Sequence, residues 1–136
     1  MSWVLMLVLA LDLNTVKQEP NLEHRSDLAL EHANEELDVA RDAFNANDVA
    51  KMQAALAEIV DSVNLSYQSL LDTGKDARRS PKFFKRAELK TRDLLRRLDG
   101  LDQMVDVDVR ASVDKVRDRV SEVHDNLLKS IMSKKK

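Results

Sequence analysis

Cysteine is absent, glycine and proline occur twice each, and aromatic side chains make up only 4% of the 136 residues. Each scarcity removes a class of protein. Without cysteine there is no disulfide framework, no thiolate metal site and no cysteine nucleophile. Two glycines cannot furnish the turns of a β-rich domain or a glycine-rich loop around a phosphate. What the chain has in quantity is charge, 34% of its residues, beside an apolar fraction of 43% that is ordinary for a single globular domain. The composition describes an almost wholly helical protein rich in Ala, Leu, Val, Asp, Lys and Arg.

The segment 1–13 differs from the rest. Trp3–Leu11 (WVLMLVLAL) is an unbroken apolar run closed by Asp12. A membrane-spanning helix needs roughly 20 apolar residues, so the run is too short to cross a bilayer. It matches the apolar core of a secretory signal, which needs about 7–15. Val8 and Ala10 supply small residues for cleavage, while no Lys or Arg stands before the run. The expectation is a truncated or atypical export signal, and hence a periplasmic or extracellular protein. The alternatives are a strand or helix packed on the domain, which would leave the protein cytoplasmic, and an interfacial anchor.

Segment 14–25 is polar, contains Pro20 and reads as a linker. Over 26–132 four segments repeat apolar residues at spacings of three and four, the helical signature. Leu30, Ala33, Leu37, Ala40 and Phe44 mark the first, from about Ser26 to Asn45. Val49, Met52, Leu56, Ile59, Val63 and Leu70 mark the second, from about Asp48 to Leu71. The third starts at Ser80 and carries Phe84, Ala87, Leu94 and Leu98, with Thr91 in the same seam. Val109, Val113, Val116, Val120, Val123, Leu127 and Ile131 mark the fourth, from about Asp106 to Met132. Asn45–Asp48 supplies a tight turn and an N-cap, so the first two helices form a hairpin. Gly74 and Gly100 suit left-handed caps after the second and third helices, and Ser80-Pro81 suits an N-cap with proline at the first helical position. Short connections between amphipathic helices favour antiparallel neighbours. The predicted fold is all-α: an antiparallel up-down four-helix bundle of two hairpins after a short apolar N-terminal segment, with 133–136 a basic tail. Two loosely coupled hairpins are the alternative.

Residues for chemistry are sparse. Carboxylate-bridged metal centres in bundles need Glu-x-x-His pairs, but Asn21, Ala29 and Ser121 stand three before the histidines. His32 has Glu35 and Glu36 within helical reach yet lies off the Leu30–Phe44 seam, so it reads as exposed, with metal ligation the alternative. His24 falls in or beside the linker, and His124 borders the fourth seam as a partly covered, hydrogen-bonded histidine. No serine sits in a glycine-flanked elbow. Asp27, Glu31, Glu35, Asp38 and Asp42 point away from the apolar face and read as solvated, not as an acid–base pair. Ser66 and Thr91 read as back-bonded hydroxyls. No catalytic residue, metal site or cofactor is expected, and the chain reads as a non-enzyme.

Charge is the informative variable. The net of −2 conceals residues 1–74 with 4 basic and 13 acidic side chains, 75–97 with 10 and 3, and 98–136 with 8 of each. In the basic segment Lys82, Lys85, Arg86, Arg96 and Arg97 fall opposite the Phe84–Leu98 seam, Lys90 and Arg92 flank it, and Arg78 and Arg79 extend the patch into the loop. The acidic face of the first helix also points outward, so most of these charges are expected not to neutralise one another; Glu36 with Lys90 or Arg92 is the exception. A solvated face is the ordinary use of such a run. The functional reading is docking to an anion: an anionic envelope component, nucleic acid, or an acidic protein face such as the first helix of a second copy. Nucleic acid is the weaker choice, because Phe84 points into the seam, Phe83 adjoins the core and the pI is about 5.9.

The stretch Ser66–Gly100 (SYQSLLDTGKDARRSPKFFKRAELKTRDLLRRLDG) resembles a segment of small, uncharacterised bacterial helical-bundle proteins that are often predicted to be exported. The resemblance covers about a quarter of the chain and implies an exported helical protein with no known activity. The expected function is a non-enzymatic interaction or structural protein of the cell envelope, docking through its basic third helix. A cytoplasmic nucleic-acid-binding or regulatory bundle is the alternative.

Overall fold

The computed structural model describes residues 12–133. The apolar run Trp3–Leu11 and the tail Lys134–Lys136 lie outside the described residues, together with the export reading placed on that run. Among the described residues all regular structure is helical: α1 (Leu13–Lys17), α2 (Leu22–Asn45), α3 (Val49–Asp72), α4 (Lys82–Met104) and α5 (Val107–Met132). None of these helices is long and apolar enough to cross a membrane.

Local chemistry sets the boundaries, and it departs from the sequence expectation in four places. The segment expected as a linker contains α1, because Asp12 accepts from the Thr15 N–H at 3.0 Å while Leu13 and Val16, three apart, bury against Ala29. Asn21 then accepts from the His24 N–H at 3.0 Å, so α2 begins at Leu22, ahead of Ser26. At the start of α4 it is Pro81 that holds the N-cap position, with no side-chain acceptor, and Lys82 opens the helix. Gly100 is not a cap. α4 runs through it to Met104, and Gly74 is the glycine with positive φ, at 69°. The turn at Asn45–Asp48 forms as expected: Asn47 takes φ 60° and Asp48 accepts from the Lys51 N–H at 3.1 Å.

The apolar stripes meet in one continuous core. Leu30, Ala33, Leu37 and Ala40 of α2 face Met52, Leu56, Ile59 and Val63 of α3, and the alanines let these two backbones approach closely. Phe84, Leu94 and Leu98 of α4 join the valine stripe of α5, Val113 to Val123. Val49, expected on the seam, is 51% exposed, because it is the first residue of α3 at the end of the bundle. Thr91 back-bonds to the Ala87 and Glu88 carbonyls, whereas the Ser66 hydroxyl pairs with that of Ser26 at 2.8 Å inside the α2–α3 interface.

Cross-helix pairs give the directions. Ser26–Ser66 and His32–Glu58 run α2 against α3, and Glu88–His124 and Asp99–Arg117 run α4 against α5, so each hairpin is antiparallel. Between hairpins the order differs from an all-antiparallel ring. Asp27 meets Arg86 and Lys90 while Asp38 meets Arg97, which sets α2 parallel to α4. Gln53–Ser112 and Asn64–Arg119 likewise set α3 parallel to α5. The Thr73–Pro81 connection allows this, since it is long enough to carry the chain from one hairpin to the other and is pinned midway by the buried Ala77.

Candidate functional site

The parallel placement of α2 beside α4 has a direct electrostatic result. The acidic face of α2 does not stand apart from the basic face of α4; the two meet. Arg86 grips Asp27 through both ends of its guanidinium, Nη2 to Oδ2 at 2.8 Å and Nε to Oδ1 at 3.3 Å, and Lys90 Nζ reaches the same carboxylate at 2.5 Å. Burial alone would raise the Asp27 carboxyl, but the hydrogen bonds and charges of Arg86 and Lys90 outweigh it and hold it below the usual aspartate range. About two helical turns beyond Lys90, Arg97 bonds to Asn34 and Asp38. The two faces therefore match in part: Asp27 and Asp38 meet Arg86, Lys90 and Arg97, while Glu31 and Glu35 form no ion pair among the described residues. The signal was present in the sequence as matched spacings of Asp27, Asn34 and Asp38 against Arg86, Lys90 and Arg97, but it needs the relative direction of the helices before it can be read.

Two more members of the basic set are engaged on α4 itself. Arg92 donates to Glu88 from Nε at 2.9 Å and from Nη2 at 2.7 Å, and Arg96 pairs with Asp93. Glu88 is buried, 6% exposed, and its Oε2 also meets Nε2 of His124 from α5 at 2.7 Å. Burial pushes the Glu88 carboxyl up, and the His124 and Arg92 hydrogen bonds more than reverse this, so it is held below the ordinary glutamate value. The partly covered, bonded state expected of His124 is what the structure contains. Glu36 pairs with neither Lys90 nor Arg92, since it faces α3 and not α4.

In the loop, Arg78 is held by Asp76, through Nη2 to Oδ2 at 3.2 Å. Asp76 also accepts from the Arg78 N–H, the leading reason its carboxyl lies below the usual range. That leaves Arg79, Lys82 and Lys85. All three are exposed, and none forms an ion pair with the described residues. Lys82 Nζ stands 5.4 Å from the centre of the Phe83 ring, with the Arg86 guanidinium 6.0 Å from the same ring. Phe83 itself is partly buried against the core, as expected. The nine-residue basic surface is thus reduced to a corner around the first turn of α4.

Two histidines take positions other than those expected. His24 lies in the first turn of α2, 3.7 Å from Glu19. His32 is not exposed: it is 5% accessible, with Nε2 3.0 Å from Glu58 of α3 and Nδ1 buried without a protein partner. Helical phase placed it off the leucine seam correctly, but α3, through Glu58, meets that flank as well. No family model, curated protein or solved structure matches the chain.

Proposed function

We propose that the chain is a non-enzymatic interaction protein, a bundle of four long helices in up-down order within each hairpin, that docks on an anionic envelope surface or an acidic partner through the start of α4. The single observation that carries this reading is the grouping of Arg79, Lys82 and Lys85, exposed and uncommitted, around a helix N-terminus that has no side-chain cap and no acidic residue in its first turn. The positive end of a helix dipole ordinarily attracts acidic side chains. Here it is surrounded by three cations, an arrangement that repels itself until an anion arrives. The neighbouring Arg86, Lys90 and Arg97 support the corner from behind, but their work is holding α4 to α2. Export through Trp3–Leu11 belongs to this proposal and places the anion at the envelope. The packing of Phe83 against the core, with Lys82 and Arg86 beside its ring, favours such a surface over nucleic acid, which single-strand binders meet with free stacking aromatics.

The test is retention on vesicles containing phosphatidylglycerol, compared with neutral vesicles and with single-stranded nucleic acid, at two salt concentrations. The triple variant Arg79→Glu, Lys82→Glu, Lys85→Glu loses salt-sensitive retention and keeps its helicity. Asp27→Asn, which releases Arg86 and Lys90, increases retention. Equal binding by wild type and triple variant refutes the reading. Retention on nucleic acid alone moves the assignment to the cytoplasmic alternative.

A further inference from the structure

Away from the basic corner, α2 and α3 bring together a different chemistry. His32 and Glu36 stand four apart and so share one face of α2. Glu58 approaches from α3, bonded to the His32 ring at 3.0 Å. One ring nitrogen and one oxygen of each carboxylate lie within 4.8 Å of one another. We propose that His32, Glu36 and Glu58 form a binding site for a divalent first-row transition ion of the zinc class.

Three observations carry this. The first is the donor set, one imidazole and two carboxylates, which suits a borderline ion better than a purely oxygen-seeking one. Three protein ligands leave a coordination position for water. The second is charge. Two carboxylates converge in a half-buried place, and Lys51, the nearest cation acting on Glu36, forms no ion pair with either among the described residues. Asp12, at the cap of α1, adds further negative charge on the His32 side. A dication balances the two carboxylates to neutrality, which is the state a half-buried site favours. The third is the ring itself: His32 is 5% exposed, Nε2 is the ring nitrogen turned to Glu58, and the opposite nitrogen, Nδ1, is buried without a protein partner. Ligand atoms around a tetrahedral ion stand about 3.3–3.6 Å apart. The observed spread, up to 4.8 Å, is wider, so ligation requires the two glutamate side chains to turn inward.

The sequence shows only half of the site, the His32–Glu36 neighbourhood, and it lacks the Glu-x-x-His signature usual in a bundle metal centre. Here the spacing is His-x-x-x-Glu, and the third ligand arrives only with the hairpin.

The experiment uses the full chain after chelator treatment. Zinc titration followed calorimetrically gives saturable binding of one ion per chain, and cobalt substitution gives visible d–d absorption. Glu36→Gln and Glu58→Gln, which preserve size and hydrogen bonding, each weaken zinc binding by about tenfold or more. His24→Ala, near the Glu19 pair, leaves it unchanged. Because a variant that loses fold loses binding trivially, the imidazole signals of the wild type provide the independent reading: zinc shifts those of His32 and leaves those of His24 and His124 in place. Absence of saturable binding, unchanged affinity in both glutamine variants, or zinc shifts confined to His24 or His124 overturns the proposal.

Discussion

Alanine at Gly100 separates the two accounts of where α4 ends. If Gly100 were the left-handed cap that its position after Leu98 suggests, a Cβ there would strain the backbone. The structure instead places it inside α4, with the helix continuing to Met104, an ordinary φ, and nothing within 4 Å of where the Cβ would stand. Glycine in a helix interior is about 0.8–1.0 kcal/mol less favourable than alanine, partly through the freedom it gives the unfolded chain. Gly100→Ala therefore stabilises the protein by close to that amount. For a chain of this size the midpoint of thermal unfolding rises by about 3–5 °C. Gly74→Ala is the matched control. Its surroundings are equally open, but its φ is +69°, so only the backbone penalty acts. That penalty is about 1–2 kcal/mol, and the midpoint falls. Thermal melts followed by far-UV circular dichroism measure both. A lowered midpoint for Gly100→Ala refutes the reasoning, since it would restore the cap to residue 100 and detach the last turn of α4.

The buried acceptor Glu88 gives a pH-dependent test: Glu88→Gln lowers stability at neutral pH by about 2 kcal/mol, read by denaturant unfolding. Because the folded value lies below the ordinary 4.5, this contribution is fully present above 4.5 and is lost as pH falls through the lower folded value, so the wild type and the variant converge in acid; a gap that persists there contradicts the assignment. Within the α2–α3 interface, Ser26→Ala and Ser66→Ala each cost about 1 kcal/mol by stranding the partner hydroxyl. The double variant costs less than the sum, and strict additivity in a double-mutant cycle would mean that the 2.8 Å contact does not hold the pair.

Much of the fold is visible in the amino-acid order, for reasons that stay local. The three-four spacing of Val109, Val113, Val116, Val120 and Val123 has one structural solution, a helix with that stripe inward. The Asn45–Asp48 turn and the Gly74 cap follow from the same short-range rules. What escaped were features with a weak local signal. α1 spans five residues, too few for a periodic pattern, and it exists because Leu13 and Val16 find Ala29. Pro20 suggested a break and produced one, although a short helix stands before it.

The charge map shows the same division. The excess of acid before residue 75 and of base just after it is a property of the sequence and needs no coordinates. Which of those charges face each other depends on whether α2 and α4 run the same way, and helical phase does not contain that information. Once they do, Asp27 takes Arg86 and Lys90 and Asp38 takes Arg97; of the nine basic residues from Arg78 to Arg97, Arg79, Lys82 and Lys85 form no ion pair among the described residues. His32 follows the same rule. Its phase on α2 was set by the chain, but its burial, and its meeting with Glu58, were set by α3. The absences read at the outset, of cysteine and of glycine loops, exclude whole chemistries because they are counts. Local periodicity determined the helices because a helix repeats every few residues. Pairing between helices was decided only in three dimensions, because it joins residues 26 to 63 positions apart that no local pattern connects.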